Sequence, residues 1–167
     1  MLKTAHITAV AAAIAFLPLV ANAAPADDAK IKALEDQFAA AFNAKDVDAI
    51  MKVYIPDDSL FVFDVVPPRQ YVGAKAYRKD WEDLFASLKG PMKFEITDLK
   101  ITTVGPVGYS HSIQHVNSTD AKGQPVDLTV RVTDVYRKSK GNWLIVQEHV
   151  SVPVDLGTGK PDFSSKP

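Results

Sequence analysis

The hydrophobic period changes once along this chain, at Gly90-Pro91, and that change limits the fold to few options. Before it, apolar residues recur at helical spacing. Ile31, Leu34, Phe38 and Phe42 mark an amphipathic helix over residues 28–43. Asp46 is placed to cap a short second helix with Val47, Ile50, Met51 and Tyr54 on one face. A short strand is predicted over 60–63, and Tyr77, Trp81, Leu84, Phe85 and Leu88 mark a third helix over 74–88. After Pro91 the period is two. Met92, Phe94 and Ile96 alternate, then Leu99, Ile101 and Thr103. The phase slips at Thr97-Asp98, which predicts a β-bulge and a bent strand. Further strands are predicted over 107–116, 126–137 and 143–152, with turns between them. Three helices followed by a strongly bent, mostly antiparallel sheet make an α+β plan, a cone-shaped roll whose sheet curls around the helices and encloses a pocket.

The informative residues break the period. Along 126–137 the core face reads Val126, Leu128, Val130, Val132, Asp134, Tyr136, and Asp134 interrupts it. Along the last strand it reads Leu144, Val146, Glu148, Val150, Val152, and Glu148 interrupts it. A hairpin brings the two acids together as diagonal neighbours. Burial raises both pKa values and mutual repulsion raises one further, so they must share a proton, find a cation or reach a wet cavity. The opposite face carries Arg131, Thr133, Gln147, His149 and Ser151, as a solvated surface or an interface between copies. His111 and His115 share a face, but without helical ligand spacing or a fixed carboxylate partner no metal site is expected. Asp64 ends the apolar strand in FVFD, shortly before Pro67-Pro68. It either closes the strand in a turn or stands at the mouth of the pocket. Phe38, Tyr54, Phe61, Phe63 and Trp81 fit a pocket lining or ordinary core packing.

The first 23 residues read as a leader. Lys3 precedes an uncharged apolar run over 7–20, and Ala21-Asn22-Ala23 offers a small-residue cleavage site. The run is shorter than the roughly 20 residues a spanning helix needs, so a periplasmic or secreted chain with no membrane in its mature form is expected. One domain is predicted over 24–153, followed by a polar tail over 154–167. The chain has no cysteine, which excludes thiol catalysis, thiolate metal sites and disulfides. Its formal net charge is −1, and no basic stripe points to nucleic acid. There is no Gly-rich phosphate loop and no nucleophile elbow, and no cofactor is expected.

The stretches DQFAAAFNAKDVDAIMKVYIPDDSLFVFD, YVGAKAYRKDWEDLFASLKGPMKFEI and VRVTDVYRKSKGNWLIVQEHVSVPVD resemble the SnoaL-like and ketosteroid isomerase-like proteins of the nuclear-transport-factor-like superfamily. The resemblance implies the cone-shaped fold and a small apolar ligand. It implies Asp64 as a general base, and Asp134, in the run Asp134-Val135-Tyr136-Arg137, as a neutral acid that donates to the substrate oxygen. The position of the family's oxyanion-hole tyrosine holds Phe38. Losing one such donor costs about 100- to 1000-fold in rate, so Tyr54, Tyr77 or Gln114 must substitute if the reaction is efficient. Tyr77, Glu148 and His149 join the ligand-binding candidates. Three readings stay open: an isomerase, cyclase or dehydratase acting by proton abstraction next to a carbonyl; a non-catalytic binding module for an apolar ligand; and a homodimerising interaction domain that buries Arg131, Gln147, His149 and Trp143 between copies.

Overall fold

The computed structural model describes residues 25–164; the predicted leader lies outside them. Helix α1 (Pro25–Ala44) and the short α2 (Val47–Met51) precede strands β1 (Phe61–Phe63) and β2 (Tyr71–Val72). Helix α3 (Ala74–Ser87) follows, then four long strands, β3 (Leu88–Val104), β4 (Val107–Asp120), β5 (Pro125–Ser139) and β6 (Asn142–Ser151). The sheet order is β2-β1-β6-β5-β4-β3. Every pairing is antiparallel except that of β1 with β6, which is parallel. The fold is the expected α+β arrangement, helices packed on one open, bent sheet.

Local chemistry sets the element ends. Asp46 accepts the Ala49 N–H at 2.9 Å and caps α2. Lys45 takes a left-handed φ of 55° after α1, and the Asp46 N–H returns to the Ala41 carbonyl at 2.9 Å. Helix α3 runs straight into β3, so the strand starts at Leu88, ahead of the proline that the period change suggested. The expected bulge is present: the β3–β4 register shifts between Thr97 and Lys100, with Asp98 at φ 52°. A second shift lies between Lys89 and Lys93. Together they bend the sheet around α1.

α1 buries Ile31, Leu34, Phe38, Ala41 and Phe42 against the concave face. The approach is closest at Gly108 on β4, where a Cβ would stand 3.0 Å from Ile31 Cδ1, so only glycine fits without a shift. The inward residues of β4 and β5 follow the even positions.

β6 differs from the expectation. The register passes from Val135↔Gln147 to Tyr136↔Ile145, so Val146 is an extra residue. Before this bulge Trp143 and Ile145 point inward; after it Glu148 does. Trp143 is buried, with its indole N–H donating to Asp27 at 3.3 Å, and is therefore not part of an outer-face contact as expected. The same bulge sets Asp134 directly opposite Glu148 rather than diagonal to it. The tail folds back: Val154 bridges Pro161, and the Thr129 N–H donates to the Phe163 carbonyl at 2.9 Å. It covers the part of β5 that lies beyond the end of β6.

Candidate active site

Between α1, α3 and the concave sheet lies a cavity of about 320 Å³. Its walls are mostly apolar, with Phe38, Phe42, Trp81, Phe94, Leu128 and Val130 among them. Asp64, Tyr77, Gln114 and Glu148 supply polar groups, with Asp80 and Asp83 also on the wall.

Glu148 is 4 % exposed and has a hydroxyl on each carboxyl oxygen. The Tyr54 hydroxyl donates to Oε2 at 2.7 Å, and the Tyr77 hydroxyl donates to Oε1. Burial pushes Glu148 up to about 7, against the two tyrosines that lower it. Behind it, Asp134 is 1 % exposed. Burial first, then the charges of Glu148 and Glu35, hold Asp134 well above the carboxylate range. Among the described residues its Oδ1 has no hydrogen-bond partner, and its Oδ2 lies 3.5 Å from the Ser110 hydroxyl.

A third buried acid, Glu35, continues the set from α1. Tyr136 donates to Glu35 Oε1 at 2.7 Å, and its oxygen lies 2.7 Å from Ser110 Oγ. Since the phenol proton goes to Glu35, Ser110 is the donor to Tyr136. Burial pushes Glu35 up to about 7, against the hydrogen bond from Tyr136 that lowers it. Sequence reasoning missed Glu35. The signal was present, because position 35 falls inside the apolar stripe of Ile31, Leu34, Phe38 and Phe42.

Asp64 lies on the cavity wall just after β1, half-buried, and accepts the Val65 N–H. Burial and the nearby charge of Asp80 raise its pKa, against hydrogen bonds from the Val65 and Val66 backbone and the Tyr77 hydroxyl. Tyr77 stands near both acids, and its one hydroxyl proton goes to Glu148. Asp80 is held by the Tyr71 hydroxyl, which donates at 2.6 Å.

The structure brings Phe38, Asp64, Tyr77, Trp81, Gln114 and Glu148 to one cavity, with Tyr54 and Asp134 directly behind Glu148. Three expected ligand contacts lie elsewhere. Phe61, Phe63 and His149 line up on the outer face, with ring centroids 4.9 Å apart for Phe61–Phe63 and 5.4 Å for Phe63–His149. They fall there because Val62, between the two phenylalanines, takes the inward position, and because His149 follows the inward Glu148 by one residue. Asp134 is not on the cavity wall either; Glu148 takes that place. Among the described residues no cluster of metal-ligating side chains occurs.

Comparison with known proteins agrees with this architecture. No match is found among curated proteins. An NTF2-like protein of unknown function from Pseudomonas putida KT2440 superposes with a TM-score of 0.78 at 29% identity, over 86% of this chain and 99% of its own. A ketosteroid isomerase-like protein from Erwinia carotovora atroseptica SCRI1043 gives 0.65 at 22% identity, over 76% and 96%. A nuclear transport factor 2 (NTF2-like) superfamily protein from Salmonella enterica serovar Typhimurium LT2 gives 0.70 at 15% identity, over 81% and 96%. The last two likenesses carry the fold alone. The SnoaL-like domain model matches residues 31–155, which takes in most of α1, the whole sheet and every acid of the cavity, and the chain belongs to the SnoaL-like domain family.

Proposed function

We propose that this protein is a small proton-transfer enzyme, an isomerase or lyase that acts next to the carbonyl of an apolar compound. The observation that carries this reading is the pair of cavity acids, Asp64 and Glu148, on one largely apolar wall and held in different environments, Glu148 by two tyrosine hydroxyls and Asp64 by a backbone N–H. Burial raises both, Glu148 up to about 7. Asp64, half-buried and accepting the Val65 N–H, is placed to act as the base, and the deeply buried Glu148 as the acid, which is the division of labour that proton transfer needs. Asp64 takes the proton from the carbon beside the carbonyl. The electron pair moves onto the carbonyl oxygen, and neutral Glu148 donates a hydrogen bond to the enolate. The proton then returns to another carbon, giving an isomer, or a β-hydroxyl leaves as water after taking one. Asp134 serves as a positioning residue behind Glu148. The Trp81 indole N–H is a buried donor with no acceptor among the described residues, on a ring that lines the cavity beside Phe38. It offers a donor where the family's tyrosine is absent.

The test is exchange of the α-hydrogens of 2-tetralone in deuterium oxide. The protein should accelerate it, and Asp64→Asn should lose about 100- to 10,000-fold of that rate with the fold intact by circular dichroism. A variant with undiminished exchange, or a wild type with none, overturns the reading. The second result leaves the binding module, which the apolar walls also suit.

The same reading includes export, with a mature chain starting at Ala24, and pairing of two copies through the outer sheet face. Native mass spectrometry of protein from its own host should give twice the mass of chain 24–167. A monomer, or an intact leader, would contradict the respective part.

A further inference from the structure

Gln114 sits on the cavity wall with nothing to do. It is 7 % exposed, lines the cavity, and its amide makes no hydrogen bond within the described residues. Its cross-strand partners are Ile96 on β3 and Val130 on β5, and Val116 follows it on the same face. Among the described residues the sealed unpaired side-chain atoms are Trp81 Nε1, Ser112 Oγ and Asp134 Oδ1; the Gln114 amide is not one of them, so it opens onto the cavity, and an unpaired polar group on an apolar cavity wall calls for a partner there. A ligand that completes the amide supplies one.

Its distance from the acids makes it a separate site. Gln114 is opposite Val130 on β5, and Glu148 is opposite Asp134 on the same strand. Four residues along β5 and two strand spacings across separate them by roughly 16 Å between backbones. Both side chains line one cavity from these separated positions, so the two polar groups stand at different places on its wall. Gln114 therefore cannot share a substrate oxygen with Glu148 or substitute for a donor at the acid end.

We propose that Gln114 binds a second oxygen function of the ligand, a hydroxyl or carbonyl at the far end of an elongated apolar body from the carbonyl at Asp64 and Glu148. This rests on the proton-transfer reading for the near end only. An amide both donates and accepts, so it suits a hydroxyl or a ketone. Its lack of charge and the apolar residues around it disfavour a carboxylate there. The substrate class is thus a flat or elongated apolar ketone with an oxygen substituent about two rings away.

The test uses two compounds of one shape, 2-tetralone and 6-hydroxy-2-tetralone, with calorimetric affinities for each. The wild type should bind the hydroxyketone about 3- to 10-fold tighter, the worth of one hydrogen bond. Gln114→Leu, and separately Gln114→Met, should bring that ratio to about one. Both variants should melt no lower than wild type, because the amide makes no protein bond to lose. A wild-type ratio near one, or a ratio that survives both substitutions, overturns the proposal. Exchange of α-hydrogens in the same samples keeps the two readings apart: a ratio that depends on Gln114 without any exchange leaves the second anchor standing and removes the catalysis.

Discussion

Burying a charged carboxyl costs several kcal/mol, and this molecule buries three of them in one set of contacts. Glu35, Asp134 and Glu148 are 2 %, 1 % and 4 % exposed, and among the described residues no lysine, arginine or histidine pairs with any of them. Tyrosine hydroxyls replace cations as partners. A hydroxyl stabilises the anion less than a cation does, so Glu35 and Glu148 are held near 7 rather than being fully ionised at neutral pH. Tyr77 donates to Glu148 and stands near Asp64. Tyr77→Phe should move Glu148 above about 7, because a lowering hydrogen bond is lost. It should also cost about 1–3 kcal/mol at pH 9, where the anion loses a donor, and less at pH 5. Infrared titration of the carboxyl carbonyl band reads the first effect and urea denaturation the second; an unmoved titration would sink the assignment. Asp134 was legible in the sequence because it breaks a period of two that holds along β5; Glu148 was read from the run Leu144, Val146, Glu148, Val150, of which only the part from Glu148 onward faces inward. Glu35 breaks a helical stripe by the same logic and was equally legible.

Most elements were visible from periodicity alone, since α1, α3 and the four long strands each sustain one period over many residues. The slip at Thr97-Asp98 could be seen because clean alternation runs on both sides of it. The bulge at Val146 could not. Trp143, Leu144, Ile145 and Val146 are all apolar, so neither face is marked and the phase cannot be read. Strand β2 has two residues and no period at all. The hidden bulge matters more than the visible one. The turn sets Ser139 opposite Asn142 and Arg137 opposite Leu144, and an unbroken ladder from there would place Glu148 opposite Thr133, on the outer face. The extra residue rotates the second half of β6 by one position. It brings Glu148 inward against Asp134, and it turns His149 outward. The candidate site therefore exists because one strand is a residue too long for its neighbour, a fact that lives in register and not in composition.

For the whole molecule the buried acids set the pH at which the fold is most stable. Glu35 and Glu148 release their protons near 4.5 in the unfolded chain and near 7 in the folded one. Between those values the folded state binds more protons, so stability falls as pH rises through this window and levels off above it. Each group contributes a loss on the order of 3 kcal/mol. Asp134 is shifted the same way and extends the fall. The lowered acids, Asp27, Asp57, Glu95 and Asp155, act in the opposite sense, adding stability above their unfolded pKa and losing it in acid. Asp57, Glu95 and Asp155 are exposed and Asp27 is partly buried beside Lys138 and Trp143, and all four act on the acid side, below about pH 4. The melting temperature of chain 24–167 should therefore peak near pH 5 and drop toward pH 8. Glu35→Gln isolates one share of the drop, because the amide accepts from Tyr136 without titrating. It should match wild type at pH 5 and exceed it at pH 8, and a variant curve parallel to wild type would show that Glu35 is not the group being titrated. The surplus stability of the variant at pH 8 measures what the molecule gives up to keep a titrating acid buried between α1 and Tyr136.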